Sequence, residues 1–472
     1  MIVGVVQEPD IPSIARRLAT LGPEFDCVEL RLDACRHLDM EALAGMTSAG
    51  LPLPAIFTLR PKNQGGHFEG SEADRLALLR QLASLHPAWL DVEHTVAGKD
   101  MEALQALAPK TRLILSYHDF KRTPPNFARR LWAMRTKAPG AIHKMAFMAS
   151  KLSDALRLLL FCREHSENII GISMGEAGSC TRILAPLFTA GFTYCPVTTP
   201  SAPGQLAAHD LCTLYNYKKL NKNTRLYGLL GSPVTGSKGH SFHNRQNAIT
   251  GENAIYVKWD VPPAELGEVM PLLRKLGMAG ASVTMPLKEH ILPFAEVASA
   301  EVQAIGAGNT LVLRNGKMWA HNTDAPGAVE SLPFPVRGKT VAVLGAGGAG
   351  RAIMYEVLRR GGKVLSLNRT PGRTGTLPVE ALPLDALKTL AREKYDCLIN
   401  TLPATVPLAV GPKTFIPGAV VMDITYTAAS PLLSAAAKAG CQCIDGKAMF
   451  VEQALMQRRL WGLACTASGH TA

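Results

Sequence analysis

The chain has 472 residues, 47% of them hydrophobic and 19% charged, with 50 Lys and Arg against 38 Asp and Glu for a formal net charge of +12. At about 150 residues per domain that length suggests about three domains, and the apolar content excludes a mainly disordered, collagenous or small disulfide-stapled protein. The mean hydropathy is +0.09, yet no stretch approaches the roughly 20 apolar residues a spanning helix needs, so a soluble protein with no membrane partner is expected.

The basic excess is spread along the chain: residues 1–222 hold 25 basic and 21 acidic side chains, and residues 223–472 hold 25 and 17. Without a basic tail or a Lys/Arg-rich run, this charge suits small anionic ligands rather than nucleic acid. The opening MIVGVVQEPD enters an apolar strand directly and lacks the regions of a signal peptide. A cytoplasmic chain, bacterial or a trimmed plastid form, is expected. None of the ten cysteines falls in a Cys-x-x-Cys pair, so reduced thiols are expected, and Cys441 and Cys443 are read as one face of a strand rather than as metal ligands.

From the N-terminus, eight β-rich runs alternate with helical patterns such as Glu72–Leu85 and Leu152–His165. The runs are Ile2–Val6, Cys27–Leu32, Ala55–Leu59, Trp89–Glu93, Leu113–Tyr117, Lys144–Met148, Ile169–Met174 and Phe192–Val197. This alternation fits a closed parallel (β/α)8 barrel, the TIM barrel, better than an open sheet. Chemistry in such barrels collects at the strand ends, and those ends are polar here: Glu29 and Arg31, Arg60, Asp91 and Glu93, His118, Lys144, then Arg182, Ser201 and Gln205 in the last two loops. Alternate residues of one strand share a face, so Glu29 and Arg31 can both point into the barrel. An inward lysine kept from water is an amine nucleophile toward a carbonyl, and a histidine on the preceding strand can move a proton beside the resulting iminium.

The segments VELRLD, TLRPKNQGG, SYHDF, HKMAFM and SAPGQ resemble the type I 3-dehydroquinate dehydratases over residues 1–221. The resemblance implies that Lys144 forms a Schiff base with the substrate ketone and His118 removes and returns a proton. It further implies that Arg182 clamps the substrate carboxylate, that Glu29, Arg31, Arg60, Ser201 and Gln205 frame the pocket, and that Met174 packs beside the imine. One position departs from the family pattern: Gln64 stands where a glutamate usually pairs with the histidine. A neutral amide can orient His118 but cannot stabilise its imidazolium by charge, so dehydratase activity with a lowered histidine limb is expected.

The helical pattern Leu206–Tyr217 leads into the polar stretch Lys218–Arg225, the expected boundary before a strand at Leu226–Leu230. A second α/β region, 225–335, has strand patterns near Ala254–Val261, Ala281–Thr284 and Thr310–Leu313. Within it GASVTMPLK places Lys288 just after a strand and AHNTDAPG presents Asn322 and Asp324, a lysine and an aspartate able to move a proton to or from a hydroxyl. A third region, 336–445, begins with a strand, a G-x-G-x-x-G turn at Gly345, Gly347 and Gly350, and a helix, which is the order a dinucleotide-binding Rossmann unit requires. The next strand ends in Asn368-Arg369-Thr370, and arginine where NAD-binding proteins carry an acid suits the 2′-phosphate of NADP.

These segments, with GSPVTGSKGHSFHN, GNT, DITY and DGKAMFVEQA, resemble shikimate dehydrogenase over residues 225 to about 463. The resemblance implies a catalytic pair in Lys288 and Asp324, and substrate contacts from Ser237, Thr284, Asn309, Tyr426 and Gln453. NADP would be held by Gly345, Gly347, Gly350, Asn368, Arg369 and Thr370, with Asn400, Thr401 and Leu402 nearby, and a C-terminal helix in 446–472 would return to the substrate domain. Gly239 replaces the second serine of the usual Ser-Lys-Ser-Pro loop, which leaves Ser241 or His240 as the alternative donor. Dehydration of 3-dehydroquinate yields 3-dehydroshikimate, which the second activity reduces. The two resemblances therefore imply a bifunctional enzyme of the shikimate pathway, with no metal required; the alternatives are a C-terminal half acting mainly on quinate, or a non-catalytic nucleotide-sensing protein that retains the folds.

Overall fold

The computed structural model describes residues 1–165, 168–198, 202–374, 377–411, 413–425 and 430–466. They cluster into two compact units. The first is built on Met1–Arg225, with Asn253–Val257 and Gly267–Gly277; the second is built on Leu226–Glu252, Lys258–Leu266 and the chain from Met278 onward.

In the first unit the strands are β1 Ile2–Val6, β2 Cys27–Arg31, β3 Ala55–Thr58, β4 Trp89–Glu93, β5 Arg112–Asp119, β6 Ile142–Met148, β7 Ile169–Met174 and β8 Thr193–Pro196. They form one eight-stranded sheet in the order β7-β6-β5-β4-β3-β2-β1-β8, and neighbours along it run parallel. All eight expected strands are present, three with both ends as expected and the others with ends shifted by at most two residues, and helices connect them in the β/α alternation of a barrel. Helix starts follow local chemistry: Ser71 and Asp74 close a capping box on helix Glu72–Ser84, satisfying backbone N–H groups the first turn leaves open.

The strands are buried on both faces, so their hydrophobic runs are nearly continuous. Outward positions such as Val28, Leu30, Phe57 and Leu90 form one core with the helices. Inward positions such as Val3, Ile56, Ile114, Ile142 and Ile170 form a second core inside the barrel. Two residues further along the same strands, the inward positions become polar: Cys27 gives way to Glu29 and Arg31, Ile56 to Thr58 and Arg60, Ile114 to Ser116 and His118, and Ile142 to Lys144. The apolar layer therefore closes the barrel below and the polar layer faces the loops above it.

The expected helix Leu206–Tyr217 is shorter. It spans Ala208–Thr213 and is followed by a single turn at Tyr217–Lys219, because Asn216 adopts a left-handed backbone, φ 51°, which no helix interior accepts.

After the barrel strands come β9 Arg225–Gly231, β10 Ala254–Asp260, β11 Met278–Val283, β12 Val297–Ala298, β13 Thr310–Arg314 and β14 Lys317–His321, in a six-stranded sheet ordered β10-β9-β11-β13-β14-β12. A second six-stranded sheet holds β15 Thr340–Leu344, β16 Lys363–Asn368, β17 Glu380–Pro383, β18 Cys397–Asn400, β19 Val420–Asp423 and β20 Gln442–Asp445, ordered β17-β16-β15-β18-β19-β20 and parallel throughout. That is the doubly wound Rossmann order, whose topological switch falls between β15 and β18. Among the described residues no helix is long and apolar enough to cross a membrane.

Candidate active sites

The polar layer of the barrel is a network of buried charges. Arg60 donates from Nε to Glu93 Oε1 at 3.2 Å and from Nη2 to Asp91 Oδ1 at 3.2 Å, and its Nη2 lies 3.8 Å from Glu29 Oε1. Arg75, fully buried on helix Glu72–Ser84, reaches the other Glu93 oxygen at 2.9 Å. Glu29 also accepts from Thr58 Oγ1 at 2.9 Å, and Arg31 forms two hydrogen bonds to Asp33, at 3.0 and 2.8 Å. Charges this deep are tolerated because each is paired.

Lys144, 3% exposed, points inward as its strand parity requires. Its Nζ donates to Asp91 Oδ2 at 3.2 Å, lies 3.6 Å from Glu29 Oε1 and sits 4.0 Å from the centroid of the Tyr194 ring. The sequence suggests a lysine simply kept from water; the structure surrounds it instead with two carboxylates and an aromatic face. Burial raises Asp91, but the Lys144 and Arg60 charges outweigh it and hold that carboxyl well below the usual range. Burial pushes Glu93 up to about 7 although Arg60 pulls it down, and the neighbouring Asp91 charge adds to the rise.

Lys144, His118, Arg182, Met174, Gln205, Glu29, Arg31 and Arg60 all line one cavity, together with Tyr194. Burial first, then the charges of Arg60 and Lys144, drive His118 well below the ordinary histidine value. Its ring stacks on Phe120, centroids 6.0 Å apart, and its Nδ1 is buried without a partner among the described residues. Gln64 Oε1 is likewise buried and unpartnered, and the adjacent Gly65 lies against Phe120: a Cβ added there would stand 2.4 Å from the ring.

Arg182 differs from the other buried cations. It is 3% exposed, and no carboxylate among the described residues pairs with it; it donates only to the backbone oxygens of Tyr194 and Pro203, each at 3.4 Å. Burial lowers it to about 10. A buried guanidinium bonded only to neutral carbonyls, opening on a cavity, is built to meet an anion. Gln205 Oε1 accepts from Ala202 N–H at 3.2 Å, while Ser201 lies outside the described residues.

In the second unit, a cleft with a cavity volume of about 650 Å³ is lined by Thr284, Lys288, Gly345, Gly347, Gly350, Asn368, Arg369, Thr401 and Leu402. Gly345 has φ 96°, a conformation open to glycine, and a Cβ added at Gly350 would lie 2.1 Å from the Gly345 carbonyl oxygen, so the turn and the helix after it close only with glycine. At Gly347 an added Cβ would meet nothing within 4 Å: the backbone there faces open space at the start of helix Gly348–Arg359. That cradle at a helix N-terminus fits a pyrophosphate. Thr401 Oγ1 donates to the Leu344 carbonyl at 2.7 Å, and Asn400 Oδ1 accepts from Leu402 N–H at 3.1 Å, which fixes the opposite rim. Asn368 donates to the Thr370 carbonyl at 2.8 Å and holds the exposed Arg369 turn at the cleft.

Lys288 Nζ donates to Asp324 Oδ2 at 2.5 Å. Asn322 supports that pair: its Oδ1 accepts from the N–H groups of Asp324 and Ala325 at 3.1 and 3.3 Å, at the start of the helix that carries Asp324. Asn309 is enclosed in the fold, donating to Thr323 Oγ1 at 3.0 Å and accepting from Thr323 N–H at 2.8 Å and Thr310 Oγ1 at 2.7 Å. Gln453 joins this network through Thr323 at 3.5 Å. Ser237 Oγ accepts from Gly239 N–H at 3.2 Å at the start of helix Gly239–Thr250, so the glycine in that loop is itself a donor to the serine. His240 and Ser241 are half-buried on the same turn, and burial lowers His240 to about 4. Tyr426 lies outside the described residues.

Sequence reasoning noted Asp91 and Glu93 as polar strand ends without assigning them to the site, and it missed Arg75 and Tyr194. Strand parity could have found Asp91, which shares its face with Glu93. Tyr194 gave no signal, because an aromatic in an apolar strand reads as core.

The chain matches the type I 3-dehydroquinase family over residues 3–222 and the shikimate dehydrogenase substrate binding domain over residues 229–311. It is 34% identical over 472 aligned residues to the "Shikimate biosynthesis protein AroDE" of Chlamydia pneumoniae, covering 98% of this chain and 95% of that protein. It is 32% identical to the chloroplastic "Bifunctional 3-dehydroquinate dehydratase/shikimate dehydrogenase" of Arabidopsis thaliana, over 92% of this chain and 77% of that one. Its second half is 38% identical to the "Shikimate dehydrogenase (NADP(+))" of Thermococcus kodakarensis, over 50% of this chain and 91% of that protein. Matched by the two family models in that order, and by bifunctional relatives over nearly its whole length, the chain belongs to the family of bifunctional 3-dehydroquinate dehydratase/shikimate dehydrogenase proteins.

Proposed function

We propose that this chain dehydrates 3-dehydroquinate to 3-dehydroshikimate in the barrel and reduces 3-dehydroshikimate to shikimate with NADPH in the second unit. The observation that carries the first half is the convergence of Lys144, His118 and the anion-seeking Arg182 on one buried cavity. In this reading the domains are 1–221, 225–335 and 336–445, with 446–472 as the returning C-terminal segment.

In the barrel, Arg182 holds the substrate carboxylate and the Lys144 amine attacks the ring ketone; loss of water leaves an iminium on Nζ. His118, neutral at physiological pH, takes the C2 proton, and the C–H electrons move into the iminium to give an enamine. The enamine expels the C1 hydroxyl, which leaves as water with the proton His118 returns. Hydrolysis of the imine then frees Lys144, and the net change is loss of one water. Glu29, Arg31, Arg60, Gln205 and Ser201 frame the ring hydroxyls, with Met174 beside the imine.

His118 also sets a pH dependence. It must be unprotonated to act as base, and its pKa lies well below the ordinary value, so dehydratase kcat/KM is expected to hold its plateau below pH 6.5 and fall only under acid conditions. By the family pattern, in which a glutamate at this position pairs with the histidine, Gln64→Glu is expected to stabilise the imidazolium and move that acid limb upward by about one pH unit. A pH-rate profile of the two forms checks this, and an unmoved limb contradicts it.

In the second unit, Lys288 delivers a proton to the substrate oxygen while Asp324 holds its ammonium in place. Thr284, Ser237, Asn309, Tyr426 and Gln453 form the substrate side. Bound NADPH supplies the hydride. Gly345, Gly347, Gly350, Asn368, Thr370, Asn400 and Thr401 shape its bed, and Arg369 meets the 2′-phosphate. The test of both halves is conversion of 3-dehydroquinate to shikimate by the purified chain, with NADPH or NADH as reductant. NADPH is expected to be preferred, and Arg369→Ala to raise the KM for NADPH about 10- to 100-fold, the value of one charge-assisted hydrogen bond, while changing NADH turnover less than twofold. An equal loss with both nucleotides contradicts the role of Arg369.

A further inference from the structure

Tyr194 stands on β8 with its side chain in the inner core of the barrel, 4% exposed. Three observations set it apart from an ordinary core aromatic. Its ring face carries the Lys144 nitrogen, 4.0 Å from the centroid. Its backbone oxygen accepts from Arg182 Nη1 at 3.4 Å, so the same residue touches both the amine and the guanidinium of the site. Its hydroxyl is buried and has no hydrogen-bond partner among the described residues, although the side chain lines the cavity those groups share.

The unpartnered hydroxyl is the telling feature. A phenylalanine would fill the same volume and offer the same ring face without stripping an O–H group of water, so packing alone gives no reason for the oxygen. Burial, with Glu29 and Asp91 nearby, also raises the phenol well above its ordinary value, and the group remains a neutral donor. The ring has a separate use: the negative face of an aromatic stabilises a cation above it, and the nitrogen of an iminium formed at Lys144 would occupy that same place.

We propose that Tyr194 is a substrate-contacting residue of the barrel site, its hydroxyl donating to an oxygen of the bound polyhydroxylated ring acid and its ring face supporting the positive charge on the Lys144 nitrogen. This rests on the dehydratase reading of the barrel.

The experiment compares the full chain with its Tyr194→Phe and Tyr194→Leu variants. The Phe variant is expected to lose about tenfold in kcat/KM for 3-dehydroquinate, to keep borohydride-trapped adduct at Lys144, and to show a Tm equal to or above the parent, since a buried unpaired group has been removed. The Leu variant is expected to lose the trapped adduct as well, by about tenfold in its rate of appearance. Reduction of 3-dehydroshikimate by NADPH is expected to be unchanged in both. A Phe variant with parental kcat/KM overturns the hydroxyl contact, and a Leu variant that traps as fast as the Phe variant overturns the role of the ring. A parent chain that does not turn over 3-dehydroquinate overturns the dehydratase reading and this inference with it, whereas an active parent beside unaffected variants overturns the inference alone.

Discussion

Lys144→Ala is expected to lower the dehydratase kcat by roughly 10⁴-fold or more, the scale on which enzymes lose rate when a covalent nucleophile is removed, while NADPH-dependent reduction of 3-dehydroshikimate stays within twofold. The expectation rests on position. Lys144 is the one lysine among the described residues lining the barrel cavity, and none of the others offers a replacement amine. The variant should still fold. Removing the ammonium takes one partner from Asp91 and Glu29, but Arg60 remains at 3.2 and 3.8 Å from them, so the loss should not exceed the about 3–5 kcal/mol typical of breaking a buried pair. Steady-state kinetics on each substrate, with a thermal melt beside them, separate lost chemistry from lost fold. Retained dehydratase turnover in a folded variant would remove Lys144 from the mechanism.

The mirror experiment falls on the second unit. Lys288→Ala and Asp324→Asn are each expected to lower kcat for reduction about 10²- to 10⁴-fold, the usual scale for a positioned proton donor and its partner, with dehydratase turnover unchanged. The short Lys288–Asp324 contact of 2.5 Å makes the two act as one device, so the double variant should lose little more than the worse single one. Asp324→Asn keeps the shape of the side chain and its backbone hydrogen bond to Asn322, so its defect should appear in kcat more than in KM. Stopped assays with 3-dehydroshikimate and NADPH measure this. Multiplicative losses in the double variant would show that the two residues act independently.

Much of this architecture was legible in the sequence because strand parity and glycine spacing are local signals. The eight barrel strands were readable from apolar runs of five or six residues, and Glu29 and Arg31 could be placed inside from their alternation alone. The turn at Gly345, Gly347 and Gly350 was readable because its conformational demands fall on residues five apart. What was not legible came from distant partners. Lys144 was expected in a plain low-dielectric setting, and its actual setting depends on Asp91, 53 residues earlier, and on Glu29 and Tyr194 from other strands. Asn309 looks like a free polar side chain in the motif GNT, yet Thr323, 14 residues on, takes up much of its hydrogen bonding. The helix over Leu206–Tyr217 was overextended because nothing in the local pattern marks Asn216 as left-handed.

The same parity that makes the barrel readable organises its chemistry. On β2, β3, β5 and β6 the inward positions are apolar near the strand start and polar or charged further along, so the fold delivers cations and carboxylates to one layer, where pairing offsets their desolvation. Among the described residues of that layer, Arg182 is the cation bonded only to neutral carbonyls, which is the observation behind its proposed hold on the substrate carboxylate.

Sodium borohydride added to the chain during turnover of 3-dehydroquinate tests the central claim most directly, because it freezes the imine as a stable secondary amine. Peptide mass mapping is predicted to find one ring-acid adduct per chain, located on Lys144. No adduct, or an adduct on another lysine, would contradict it.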